Sequence, residues 1–267
     1  MKILHLTDIH FRKTYPSHLD HYKQFLPQMN SPRIFLEQVS KLIEDEKIDL
    51  IINSGDLTDD GDLADYKELK RLFDEYFSGI SQVISMGNHD NHSLFYDAFN
   101  LKEHRNDAPF FNQVYDAHDY RIVIFDNTYQ GSANGLFVTE QLQWLEKTLA
   151  ASKDKNVILV MHHHILDIKD QVPPVNHNLE FQRIIHDSSV IFVLCGHTHH
   201  AYQGEYLNRP FSVGPSLSFR GVLERPTNSL RIEEHPGFQI IELHAQTIQI
   251  RPIFLYPRPI LLGTILL

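Results

Sequence analysis

Five short apolar runs in this chain each end in residues that bind metal ions, and that repetition constrains the fold more than any other feature. Residues 3–6 run into Asp8 and His10, and residues 48–52 run into Asp56. Residues 83–85 precede Asn88, His89 and Asp90, residues 157–160 precede His162, His163 and His164, and residues 190–194 precede His197 and His199. Runs of this length, bounded by turn residues, read as buried strands. Amphipathic stretches at 34–46 and 63–77 separate the first three. In the former, Phe35, Val39, Leu42 and Ile43 recur at helical spacing. The order β-α-β-α-β predicts a mostly parallel sheet with right-handed crossovers. Ligands of such sheets sit beyond the carboxyl ends of the strands, where all five endings would converge.

The second half changes character. Residues 110–115 and 120–125 read as an antiparallel pair turned at Ala117-His118, followed by a helix at 140–150 that carries Leu142, Trp144, Leu145 and Leu149. A further helix at 179–186 separates the strands at 157–160 and 190–194. From residue 201 onward the pattern is strand and turn, with strands at 202–206, 211–213, 238–243 and 248–253. The expected whole is an α/β protein, a four-layer α/β/β/α sandwich of two mixed sheets flanked by helices, forming one domain over residues 1–267. The apolar tail, about 254–267, is broken by Pro257 and Pro259 and is too short to span a bilayer. It reads as a packed last segment that closes the edge of the second sheet, or as a contact in a homo-oligomer.

Composition removes some functions. A net charge of -10 argues against a surface that wraps nucleic acid or docks on anionic lipid. Cys195 is the only cysteine, so an intramolecular disulfide is excluded and thiolate metal sites are essentially excluded. The start, MKILHLTDIH, has no signal-peptide pattern, and the cytoplasm is the expected location. With 18 histidines in the chain, any single one is weak evidence. Weight rests on those grouped with carboxylates at strand ends.

Asp-x-His and His-x-His put two side chains on one side of an extended backbone, within reach of one ion. Imidazoles and carboxylates without thiolate suit Mn, Fe or Zn. A carboxylate such as Asp56 can bridge two cations, and two ions roughly 3.5–4 Å apart can clamp a phosphate and acidify a shared water. Taken singly, each ending has a plainer explanation. Asp8 could close a turn, Asp56 could cap a helix and Asn88 is a natural turn residue. Five such endings on one sheet edge are not explained that way.

The set Asp8-Ile9-His10, Gly55-Asp56, Gly87-Asn88-His89-Asp90, His162 and Gly196-His197-Thr198-His199 resembles the calcineurin-like metallophosphoesterase signature, in order and complete. Within that superfamily it is most similar to class III cyclic-nucleotide phosphodiesterases and their glycerophosphodiesterase relatives. The run from Gly55 to Gly61, and Asp126-Asn127 with Gly131, Gly135, Gln141-Leu142 and Trp144-Leu145, extend the likeness to about residue 220. The resemblance implies one metal held by Asp8, His10, Asp56 and His199, and a second by Asp56, Asn88, His162 and His197. It implies that His89 faces the phosphate as acid or charge stabiliser, that Asp90 orients His89, and that a hydroxide shared by the two ions is the nucleophile. Two departures stand out. The family usually has proline at His164, which makes His163 the competitor of His162. Members acting on cyclic nucleotides often carry arginine where this chain has Asn91-His92.

The expected function is therefore hydrolysis of a small phosphodiester, of cyclic nucleotide or glycerophosphodiester type, by two divalent ions. The same site could serve a phosphomonoesterase or nucleotide hydrolase. A DNA-processing nuclease usually brings appended DNA-contacting regions that this acidic chain lacks. A catalytically silent scaffold would usually have lost ligands that are all present here. Segment 12–32, with Tyr15, His18, His21, Tyr22, Phe25 and Met29, is longer than a tight connection needs. It reads either as a cap at the site's mouth or as a loop packed on the surface. His200 is a neighbour with no assigned role.

Overall fold

Alternation of side chains along the strands sorts the apolar residues into three clusters. The computed structural model describes residues 1–101, 110–129, 132–166, 177–244 and 247–267. The first half contains β1 (Lys2–Leu6), α1 (Pro32–Leu42), β2 (Leu50–Asn53), α2 (Leu63–Tyr76), β3 (Ser81–Ile84) and α3 (His92–Phe99). The middle contains β4 (Gln113–Ala117), β5 (Tyr120–Ile124), α4 (Thr139–Ala150), β6 (Asn156–Val160), α5 (Leu179–His186) and β7 (Val190–Cys195). Seven strands follow: β8 (Tyr202–Tyr206), β9 (Arg209–Val213), β10 (Phe219–Glu224), β11 (Ser229–Glu234), β12 (Gly237–Leu243), β13 (Ile248–Phe254) and β14 (Ile260–Leu266).

One sheet has the order β13-β12-β1-β2-β3 and a second the order β4-β5-β6-β7-β9-β8. On β1 and β2, Ile3, Leu50 and Ile52 face inward and meet Ile122, Ile124, Ile158, Val160, Phe192 and Leu194 of the second sheet. Their neighbours Leu4, Leu6 and Ile51 point outward and pack under Phe35, Val39, Leu69 and Phe73 of α1 and α2. On the second sheet Val123, Leu159 and Val193 pack under α4 and α5 through Leu145, Leu149 and Ile185. The four layers follow from this period of two. Each large apolar side chain so buried contributes about 1.5–3 kcal/mol. Among the described residues no helix is long and apolar enough to cross a membrane.

Several elements differ from expectation. The β4–β5 hairpin forms with Ala117 opposite Tyr120, as its turn residues imply, but β4 begins at Gln113 rather than at 110. Asn91, whose side chain accepts from Leu94 N–H, starts a short α3 that periodicity does not reveal. Segment 12–32 holds a 3-10 helix at His21–Gln28. Most importantly, β10, β11 and β14 form a third sheet, so the tail pairs with β11 and does not close the second sheet's edge. The third sheet is tied to the 3-10 helix at Gly263, where a side chain would collide with the ring of Phe25.

One polar thread crosses the otherwise apolar layer between the two large sheets. Gln239 Nε2 donates to His5 Nδ1 at 2.7 Å, and His5 Nε2 lies 2.8 Å from Ser54 Oγ. Gln239 Oε1 reaches Ser212 of the second sheet at 3.2 Å. Burial pushes His5 down to about 3. The folded chain thus keeps His5 neutral while the unfolded chain protonates it near pH 6.5, so stability is full above that pH and falls as the pH drops toward 3. Urea unfolding of a His5→Gln variant between pH 6.5 and 5 should show a mean pH slope shallower than the parent's by about 1.1 kcal/mol per unit. An unchanged slope would mean that His5 takes a proton while folded.

Candidate metal centre

Backbone hydrogen bonds bring the five strand ends together before any side chain is considered. Past β1 and β2 the chain continues in step: the N–H groups of Asp8, His10 and Phe11 donate to Gly55, Asp56 and Leu57 carbonyls at 2.9–3.0 Å. Past β6 and β7, Gly196 N–H donates to His162 O at 2.9 Å. The two sheets meet where His197 N–H reaches both oxygens of Asp8, at 3.1 and 3.0 Å. Asp8, His10, Asp56, His197 and His199 all have left-handed backbone, with φ of 50°, 46°, 51°, 75° and 61°. Such geometry is costly for non-glycine residues and gathers at functional sites. The motif glycines have a related cause. Gly55 has φ 104°, and a Cβ on Gly87 would fall on the Asp56 carboxylate.

The side chains then form two groups. His162 Nε2 lies 3.3 Å from Asp56 Oδ2, 3.2 Å from Asn88 Oδ1 and 3.2 Å from His197 Nδ1. His199 Nε2 lies 3.3 Å from Asp8 Oδ1 and 3.1 Å from His10 Nε2, which is itself 3.6 Å from Asp56 Oδ2. Asp56 therefore borders both. The remote nitrogens are held by oxygens: His162 Nδ1 donates to Ser54 O at 2.8 Å and His199 Nδ1 to Phe219 O at 2.6 Å. His10 Nδ1 lies 3.3 Å from Asp59 Oδ1. Bonds of this kind set the tautomer and turn the Nε2 lone pairs inward, as ligating histidines require. The donor set of carboxylates, imidazoles and one amide oxygen fits divalent transition ions. Asp8, His10, Asp56 and His199 form one group that could hold an ion; His162, His163 and His197 form another.

The charges agree with this reading. Burial alone would raise Asp56, but the rings of His162, His89 and His10 hold it well below the usual carboxylate range. Asp8 is likewise held low against its burial by His199 and His162. Burial works to lower His162, yet Asp56 and Asp8 raise it to about 9. Burial and the rings of His163 and His162 push His197 well below its ordinary value. A pocket whose two buried carboxylates stay ionised is suited to hold cations.

Other expected residues fall differently. His89 donates Nδ1–H to Asp59 O at 2.7 Å, with Asp59 Oδ1 at 3.8 Å. Asp90 was expected to orient His89 but does not reach its ring. Its oxygens accept from Leu57, Thr58 and Gly87 N–H at 2.9–3.3 Å and from Tyr66 Oη at 2.8 Å. The orienting group is the backbone carbonyl of Asp59, within the run from Gly55 to Gly61. His163 turns its Nδ1 toward Asn127 Oδ1 at 3.2 Å, while His163 Nε2 and His197 Nε2 are buried without hydrogen-bond partners. His200 Nε2 bonds Gly221 O at 2.8 Å and secures β10. Asn91 caps α3, and His92 pairs with Asp126 at 2.6 Å, so neither turns to the metal groups.

A cleft of about 280 Å³ opens over the donors. His10, Asp56, Asn88, His89, His197 and His199 line it together with Tyr22, Phe219, Leu230 and Ile232, the Phe219 ring lying beside His199 and His10. Segment 12–32 therefore contributes to the mouth. It is held there by Lys23, whose Nζ lies 3.2 Å from Asp59 and 2.9 Å from Asp60, and by Arg12 paired with Asp60.

Comparison with known proteins supplies the family. The calcineurin-like phosphoesterase family model matches residues 1–201. The chain is 29% identical over 213 residues, 75% of its length and 68% of the relative's, to a protein of Rhodococcus erythropolis named "Probable cyclic nucleotide phosphodiesterase". It is 33% identical over 168 residues, 57% of each chain, to "Probable glycerophosphodiester phosphodiesterase GpdQ" of Arcobacter nitrofigilis. In fold it is similar to a dimetal phosphatase from Danio rerio, with TM-score 0.65, 13% identity, and 94% and 95% of the two chains covered. The chain belongs to the calcineurin-like phosphoesterase family, whose members hydrolyse phosphoric esters with bound metal, and it is an enzyme of that kind.

Proposed function

We propose that this chain hydrolyses a small phosphodiester, of cyclic nucleotide or glycerophosphodiester type, at a centre of two divalent ions drawn from Mn, Fe or Zn. The observation that carries the reading is the convergence of His10, His162 and His199 Nε2 on Asp8, Asp56 and Asn88, each ring held from behind by an oxygen. Asp8, His10, Asp56 and His199 would hold one ion, and Asp56, Asn88, His162 and His197 the other. When bound, such a pair supplies Lewis acidity toward the phosphoryl oxygens and a water acidic enough to attack phosphorus near neutral pH.

The chain's own groups orient the ester and move protons. His89 has its Nδ1–H committed to Asp59 O, so Nε2 is the atom that can pass a proton to the departing oxygen. Asp90 binds the backbone after β2 to that after β3, which keeps Asp56, Asn88 and His89 in register. The diester reading draws on the two relatives named as phosphodiesterases and on the cleft, which extends past the donors and leaves room for a second ester group. Asn91 and His92 are occupied in capping α3 and pairing with Asp126, so the arginine common in cyclic-nucleotide members has no counterpart there.

Metal-stripped protein reloaded with Mn²⁺ should hydrolyse bis(p-nitrophenyl) phosphate faster than p-nitrophenyl phosphate. His89→Ala and Asp56→Ala should each lower diester turnover by about 10²-fold or more. Preference for the monoester would replace the diester reading with a phosphatase. Elemental analysis separates the two variants: His89→Ala should retain two ions per chain, and Asp56→Ala should lose at least one. Two ions retained in Asp56→Ala would remove that residue from the bridging position.

A further inference from the structure

We infer that one face of the β10–β11 hairpin is a binding subsite for an uncharged apolar or aromatic substituent of the phosphate ester. The inference rests on the reading of the centre as a phosphodiesterase and deepens it. β10 and β11 pair antiparallel with Gly221 opposite Ile232 and Leu223 opposite Leu230. Side chains alternate between faces, so Phe219 and Gly221 share a face with Leu230 and Ile232. Those four line the cleft over the metal groups. The opposite face carries a charge ladder, in which Arg220 and Arg231 both pair with Glu233, at 2.8 and 2.6 Å, and Arg231 also pairs with Glu224. Those four charges are thus spent on one another away from the cleft, and Glu234, which shares the face of Phe219, is taken up by Asn30 and does not line the cleft.

The wall is continuous with the centre. The Phe219 ring lies 4.7 Å from His199, 5.1 Å from His10 and 5.6 Å from Tyr22. Gly221 lets Leu230 lie close against β10, because a Cβ there would press on Leu230 at 3.1 Å. Among the described residues that line the cleft there is no lysine or arginine. A substituent bearing a second phosphate or a carboxylate would find no counter-charge, whereas a ring or branched alkyl group would leave water for Phe219, Leu230 and Ile232.

The test uses the Mn²⁺-loaded protein, with methylphosphonate and phenylphosphonate as competitive inhibitors of bis(p-nitrophenyl) phosphate hydrolysis. The two share the group that meets the centre and differ in the group that meets the wall. Phenylphosphonate should bind about tenfold tighter or more. Leu230→Asn, which makes the wall polar, and Gly221→Val, which displaces Leu230 from its seat against β10, should each reduce the ratio of inhibition constants toward one. Equal inhibition by both compounds in the parent, or a ratio unchanged in both variants when each is folded by circular dichroism, would overturn the subsite and leave the phosphodiesterase reading standing. Absence of diester turnover in the Mn²⁺-loaded parent would overturn the phosphodiesterase reading and the subsite with it.

Discussion

Two carboxylates, Asp8 and Asp56, lie almost fully buried between the carboxyl ends of two sheets, and the surrounding structure is arranged around that fact. Burying an ion without partners costs several kcal/mol even after relaxation. Asp8 is met by His197 N–H, by the Thr7 hydroxyl at 2.7 Å and by His199. Asp56 is met by His89 N–H at 2.9 Å and by His162. These partners come from strands of both sheets, so the same two anions that mark the centre also join the sheets at that end. The left-handed backbone at five candidate ligands, and glycine where Gly87 passes Asp56, are the local costs of crowding so many donors around them.

The layers beneath were readable because they depend on period. Residues 157–160 and 192–194 alternate between the inter-sheet cluster and the helix-facing cluster, while Val190, before a register shift between β6 and β7, joins the helix-facing one out of step. The strand endings were readable because ligand chemistry needs particular residue types just past a strand. What remained hidden depends on contacts that spacing does not encode. Asp90 reads as a partner for His89 from its adjacency, yet a neighbour in sequence at the start of a loop turns the other way and bonds backbone amides. The carbonyls of Ser54 and Phe219, which hold two histidines, leave no mark in a sequence because any residue supplies a carbonyl.

The third sheet shows a different limit. Residues 219–224 and 229–234 do alternate, but with arginine and glutamate between the apolar positions and a glycine among them, which dilutes the hydrophobic signal that marks a strand. The tail at about 254–267 stands out in the sequence for its apolarity, but neither the strand at Ile260–Leu266 nor its pairing with β11, across a long chain separation, is encoded in that feature. Segment 12–32 belongs with this sheet more than with the first one, as Asn30 N–H and its side-chain amide bond Glu234 of β11 at 2.7 and 2.8 Å.

That arrangement divides the molecule's inheritance. The donors sit at strand ends of the two central sheets. Among the described residues, most of the apolar lining beside them sits on a hairpin that pairs only within itself and with the tail. On the proposed reading, exchange of one apolar residue for another on that hairpin would change which esters fit while leaving the phosphorus chemistry where it was. Selection of the ester and attack on it would then be carried by different sheets, and each could be altered without the other.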